Sequence, residues 1–167
     1  GDIIEVGPGV EGFAVGDRIF STHHVPCDQC RDCLKGYHTA CEVFHDENNF
    51  DPGGFAQFLR ISGRSVPKGT MRLPDEVSYE AGSFIEPLGT VVRGQREIGI
   101  NPGETVLLLG SGLIGLLQIK LMRALGVGRI IAADIQQYRL DQASRVGADH
   151  VCDAGDDVAG FVREVNE

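Results

Sequence analysis

Four cysteines stand at Cys27, Cys30, Cys33 and Cys41, spaced C-x2-C-x2-C-x7-C. Thiolates are soft donors, and four of them around one ion suit tetrahedral Zn2+. A two-residue gap lets the intervening backbone amides turn toward the sulfurs. Four protein ligands fill the coordination shell and leave no position for a substrate, so a zinc here is expected to be structural. It would fold a lobe at about residues 24–48 that has little core of its own, since Asp28, Gln29, Arg31 and Asp32 fill the gaps between the cysteines. Two competing readings fit the spacing less well. A bacterial ferredoxin cluster also uses C-x2-C-x2-C, but its fourth cysteine follows after three residues and precedes proline; here it precedes Glu42. A disulfide framework spreads its cysteines through a small chain, whereas these four are crowded together. The histidines flanking the cluster, His23, His24, His38 and His45, read as surface or hydrogen-bonding residues. Cys152 is remote from the others and reads as a small buried strand residue.

A second constellation is Gly110-Ser111-Gly112-Leu113-Ile114-Gly115, a G-x-G-x-x-G run. Alone it is weak evidence. Here it follows a buried apolar run and opens an apolar helix, which is the context that gives it meaning. Gly110 permits a tight turn, Gly112 lets the backbone approach a pyrophosphate, and Gly115 lets the helix pack on the sheet. The helix N-terminus then offers unpaired N–H groups to phosphate. Asp134 ends the next strand. A carboxylate there is expected to accept hydrogen bonds from the adenosine ribose and to repel a 2′-phosphate, which favours NAD over NADP. Arg139, five residues on, offers a cation that weakens this preference.

The elements that position these residues divide the chain. The first half is rich in Gly and turn signals, with short strands expected at Ile3–Val6, Asp17–Phe20 and Phe55–Ile61 and turns at Val66-Pro67 and Leu73-Pro74. From His24 to Asn49 the sequence is polar and irregular. Near Ser78 the character changes. Ser78 is a candidate N-cap for a helix that Pro87 interrupts or kinks and that resumes to about Ile98. Thr105–Leu109 reads as a strand buried on both faces, Leu113–Leu125 as a helix closed by Gly126, and Arg129–Ala133 as a strand. Tyr138–Arg145 reads as a helix and His150–Cys152 as a third strand. Strand, helix, strand, helix, strand opens a parallel α/β sheet.

The 167 residues have ordinary globular composition, with 42% hydrophobic and 23% charged residues, so a sizeable core can form. A formal net charge of −9 argues against nucleic acid or an anionic membrane as partner, because both need clustered Lys and Arg. No apolar run reaches the roughly 18 residues that span a bilayer, and no signal peptide opens the chain. A cytoplasmic location is the expectation. The chain opens Gly1-Asp2-Ile3-Ile4-Glu5 as if inside a strand and ends Phe161–Glu167 as if inside a helix, so it reads as an internal piece.

Together these residues resemble the zinc-dependent medium-chain alcohol dehydrogenases, within them the sorbitol and threonine dehydrogenase-like branch. The marks are Gly1–Gly7, Val15-Gly16-Asp17-Arg18-Ile19, the four cysteines, Gly53-Gly54-Phe55-Ala56, Glu86-Pro87-Leu88 and Gly110–Gly115. The resemblance implies a partial β-rich GroES-like catalytic domain at 1–76, carrying the zinc lobe. It implies the first half of a Rossmann doubly wound parallel sheet, the NAD-binding domain, at 77–167. It further implies an oxidoreductase that passes a hydride from a secondary alcohol or polyol to NAD+, helped by a second, catalytic zinc in the complete protein. Of that second zinc's ligands only Glu86 is expected here, bound directly or through water, so the piece alone is expected to be inactive. Thr90 matches a threonine that packs on the nicotinamide. Ile114, Asp134 and Arg139 match NAD-contacting positions, and Leu113 lies in the same loop. A dimer or tetramer of the complete protein is implied. The alternative reading is a non-catalytic zinc-binding or NAD-sensing module.

Overall fold

The computed structural model describes residues 1–46 and 50–166. The last two residues of the expected zinc lobe, the end of the irregular stretch at Asn49, and Glu167 lie outside the described residues. The chain folds as two compact units, Gly1–Ser83 and Phe84–Glu167.

The first unit contains β1 (Ile19–Ser21), α1 (Arg31–Leu34), a 3-10 turn (His38–Ala40), α2 (Glu42–Asp46), β2 (Phe50–Asp51), β3 (Arg60–Ile61), α3 (Ser65–Gly69), β4 (Thr70–Arg72) and α4 (Tyr79–Gly82). β1 and β4 are antiparallel, with Phe20 opposite Met71, and β2 pairs with β3. Three sequence expectations need correction here. Ile3–Val6 is not a strand: the pairing is a bridge between Asp2 and Arg18, flanked by backbone bonds of Gly1 with Ile19 and of Ile3 with Asp17 O (3.0 Å) and Gly16 N–H (2.8 Å), and residues 4–6 lie outside any strand. Phe55–Ile61 is a strand only at Arg60–Ile61, because β2 offers just two partner residues; Phe55 and Phe58 lie exposed. Val66-Pro67 is no turn but part of α3, where Pro67 sits in the first turn and its missing N–H had no acceptor to lose.

Little apolar material is buried in this unit. Among the described residues its buried hydrophobic side chains are Val25, Cys33, Cys41 and Leu73. Two of those four are thiols, so the unit has few fully buried apolar side chains besides its cysteine cluster with which to offset chain entropy.

The second unit contains α5 (Ile85–Ile98), β5 (Thr105–Leu109), α6 (Leu113–Ala124), β6 (Arg129–Asp134), α7 (Gln137–Val146), β7 (His150–Asp153) and α8 (Val158–Asn166). The helix expected from Ser78 to Ile98 is two helices. Ser78 caps α4, its Oγ accepting from Ala81 N–H at 3.1 Å. The break falls at Ser83-Phe84, ahead of Pro87, so that Pro87 occupies the first turn of α5 where it costs no hydrogen bond. The three strands are parallel in the order β5-β6-β7, as the alternation of elements predicts. Leu108, Ile119, Met122, Val127, Ile130, Ala132 and Ala143 form the core between sheet and helices. β6, in the middle, is buried from Ile130 to Asp134. β5 is not buried on both faces: among the described residues it is an edge strand, and Leu109 is 70% exposed. Cys152, on β7, is half-buried rather than buried.

Candidate zinc cage and dinucleotide loop

The zinc lobe is a tight irregular fold that turns four thiols inward. Cys27 lies in the loop before α1, Cys30 caps α1, Cys33 sits inside it, and Cys41 follows the 3-10 turn. The four sulfurs lie within 4.8 Å of one another, with Cys27 Sγ to Cys33 Sγ at 3.9 Å. All four thiols are free, too far apart for disulfides. Four sulfurs at about 2.3 Å from a central ion stand roughly 3.8 Å apart, so the donor set fits one tetrahedral zinc. The x2 gaps turn amides toward sulfur: Cys30 N–H donates to Cys27 Sγ at 3.3 Å and Cys33 N–H to Cys30 Sγ at 3.4 Å.

Backbone N–H groups and burial act on the thiols in opposite directions. The N–H of Cys27, aimed at the Cys41 sulfur, holds that thiol down to about 6 although the residue is buried. The Gln29 and Cys30 amides lower Cys27. Cys33 goes the other way, to about 12, because burial penalises a further thiolate beside the others. Of the nearby histidines, His24 stacks on Phe44 and its Nδ1 lies 3.1 Å from Phe44 O, while His45 Nε2 lies 2.6 Å from Thr39 O. Both rings are engaged with the lobe's own frame. One contact that no local pattern in the sequence signals is the Lys68–Asp28 ion pair, which ties the first cysteine loop to α3.

In the second unit, β5 delivers the chain into the glycine loop. Gly110 has φ +94°, a conformation that favours glycine, and its N–H bonds Ala133 O on β6 at 2.8 Å. Gly115 is required by packing: a Cβ there would lie 2.1 Å from Gly110 O. Around Gly110 and Gly112 a Cβ would meet nothing within 4 Å, so the loop faces open space at the positions a pyrophosphate needs. Gly112 is the N-cap of α6 and supplies no side-chain cap. The first N–H groups of α6 therefore point outward without an acceptor in their own helix. Leu113 and Ile114 are exposed on this first turn. The loop, the bare helix end and an acidic strand end fit the diphosphate and ribose of a dinucleotide.

Asp134 lies at the end of β6 with its side chain 4% exposed. Oδ2 accepts from Ser111 N–H at 2.8 Å and Oδ1 from Gln136 N–H at 2.9 Å. The Ser111 bond chiefly, then Gln136 and Arg139, hold its carboxyl below the ordinary value despite burial. Arg139 Nη1 stands 3.6 Å from Oδ2, and its Nε bonds the Tyr138 hydroxyl at 2.9 Å. Asp134, Arg139 and the glycine loop are thus gathered at one end of the sheet. Sequence reasoning marked Asp134 but not its partner, the Ser111 amide.

Glu86 is an exposed residue in the first turn of α5, and Thr90, a turn later, donates its hydroxyl to Pro87 O at 2.8 Å. Among the described residues the four cysteines are the one set of three or more His, Cys, Asp or Glu close enough to share an ion, and Glu86 is not in it. Among the described residues, too, no helix is long and apolar enough to cross a membrane.

Residues 1–75 match the alcohol dehydrogenase GroES-like domain. The chain is 31% identical to an L-threonine 3-dehydrogenase of Idiomarina loihiensis over 92% of its length, covering 43% of that protein. It is 37% identical to a probable D-xylulose reductase A of Neosartorya fischeri, over 89% of its length and 40% of that protein. The chain therefore spans less than half the length of these curated relatives. Among solved structures it resembles a putative zinc-binding dehydrogenase of Sinorhizobium meliloti 1021 bound to NADP, at 28% identity and TM-score 0.76, over 95% of this chain and 45% of that one. It also resembles an Escherichia coli CFT073 protein described as a short chain alcohol dehydrogenase, complexed with NADH, at 25% identity and TM-score 0.77, over 99% of this chain and 48% of that one.

Proposed function

Because the chain belongs to the medium-chain zinc alcohol dehydrogenase family, we propose that it supplies the structural-zinc lobe and the diphosphate-binding half of the NAD site to an oxidoreductase acting on a secondary alcohol or polyol. The observation that carries this reading is the loop at 110–115, opening onto a bare helix end beside Asp134. NAD+, when bound, accepts the hydride. The chain's own residues bind and orient it: the amides of Gly112 to Gly115 take the diphosphate, Asp134 and Arg139 border the adenosine ribose, and Thr90 borders the nicotinamide. Cys27, Cys30, Cys33 and Cys41 would hold zinc as a staple for a unit with little core. Glu86 is proposed as a donor to the second zinc of the complete protein, direct or through water. The substrate class is a small alcohol or polyol, and the complete protein is proposed to be a cytoplasmic dimer or tetramer.

Calorimetric titration of the purified chain with NAD+ and with NADP+ tests the reading. Saturable binding of one NAD+ per chain, at least as tight as NADP+, is expected; no binding of either dinucleotide would overturn it. With NAD+ and polyols the chain alone is expected to give no turnover.

A further inference from the structure

Asp28 stands between the first two cysteines and, among the described residues, is the one non-glycine with positive φ, at +61°. Such backbone is uncommon for a residue with a Cβ, and Asp is among the types that tolerate it. The turn it makes brings amides to sulfur. Cys30 N–H donates to Cys27 Sγ at 3.3 Å, Gln29 N–H faces the same sulfur, and Asp28 N–H faces that of Cys33. Successive amides that converge in this way make a nest for negative charge. The side chain of Asp28 works against that nest, because it sets a carboxylate beside thiols that must give up protons to bind a metal.

Lys68 supplies the counter-charge. Its Nζ pairs with Asp28 Oδ2 from a position 40 residues further along the chain. Lys68 precedes Gly69, the last residue of α3. Gly69 is packed too closely for any side chain: a Cβ there would lie 2.8 Å from Thr22 Cγ2 and 3.0 Å from Val25 Cγ2. Thr22 N–H donates to Gly69 O at 2.9 Å, and Val25 is wholly buried. The end of α3 is thus fixed to the segment that leads into the cysteine loop, and Lys68 reaches from that fixed point to the loop itself.

We propose that Lys68 is a positioning residue for the zinc cage: its ion pair with Asp28 holds the left-handed turn in which three successive amides meet two of the sulfurs. The inference rests on reading the four cysteines as a zinc site. Both side chains of the pair are partly exposed, so it adds little to overall stability. Its effect falls on the local opening through which zinc leaves, where one turn rather than the whole unit must give way.

The test is the rate at which a chromogenic chelator takes zinc from the zinc-loaded chain, with amide hydrogen exchange at Cys30 measured alongside. Lys68→Met is expected to release zinc about two- to fivefold faster and to exchange the Cys30 amide faster, whereas Lys68→Arg keeps both rates. Asp28→Gly accepts the left-handed turn without strain and removes the partner, so adding Lys68→Met to it should change neither rate. Acceleration that persists in the Asp28→Gly background would overturn the proposal, because Lys68 would then act otherwise than through Asp28. Unchanged zinc release in Lys68→Met, or a Cys30 amide that stays protected there, would overturn it as well. Should Lys68→Met not fold, salt decides: raising it from about 0.01 M to about 1 M must speed release more in the unmodified chain than in Asp28→Gly, and an equal response overturns the proposal. A chain that takes up no zinc defeats the cage reading and this inference with it, a result distinct from zinc that is held but released at one rate by every variant.

Discussion

At the scale of single residues, the cysteines show how far spacing alone can be read. The gap pattern in Cys27, Cys30 and Cys33 is a local geometric instruction, and the structure delivers sulfurs at zinc distances with amides turned toward them. What spacing could not show is how unequal Cys41 and Cys33 are. Cys41 is 1% exposed yet favours thiolate, because the N–H of Cys27 faces it; Cys33 is buried and favours thiol. Cys41→Ser should therefore strip the metal and, with it, much of the first unit's order; zinc content well below one per chain and a lost unfolding transition would register this. Asp134 gives a pH signature of opposite character to that of a raised group. Its folded carboxyl lies below the ordinary 3.8, so its contribution to stability is complete above that value and is lost as pH falls through the lower folded one. Urea midpoints of the second unit should hold from neutrality to about pH 4 and decline below it, with a shallower decline in Asp134→Asn.

At the scale of elements, the second unit was more legible than the first for a physical reason. Its strands and helices are each set by a local apolar run or period, and the glycine closures at Gly99 and Gly126 lie where left-handed backbone ends a helix. The first unit's strands depend on which partner lies beside them. Ile3–Val6 and Phe55–Leu59 have suitable composition but no ladder, and composition cannot announce the lack of a partner. The same reason hid the exposure of β5: its apolar run is that of an interior strand, but among the described residues it has a neighbour on one side only. Gly115 is where an element's packing is tightest. Gly115→Ala would press a methyl to within 2.1 Å of Gly110 O, so α6 must move off β5. We expect a loss of about 1–3 kcal/mol in stability and weakened dinucleotide binding, measured by denaturation and by calorimetry.

At the scale of the whole molecule, two units carry two kinds of order. The second has a contiguous core of its own, built on Ile119, Met122 and Ile130. The first has four buried apolar side chains among its described residues, two of which are cysteine. The match of residues 1–75, the glycine loop and the cysteine cage all support the proposed zinc-containing dehydrogenase, and the metal is the part of that proposal a single measurement reaches most directly. Zinc-edge X-ray absorption of the purified chain should show one zinc per chain with four sulfurs at about 2.3 Å and no lighter donor. A chain that purifies without zinc, or a zinc bound by nitrogen or oxygen, would contradict it.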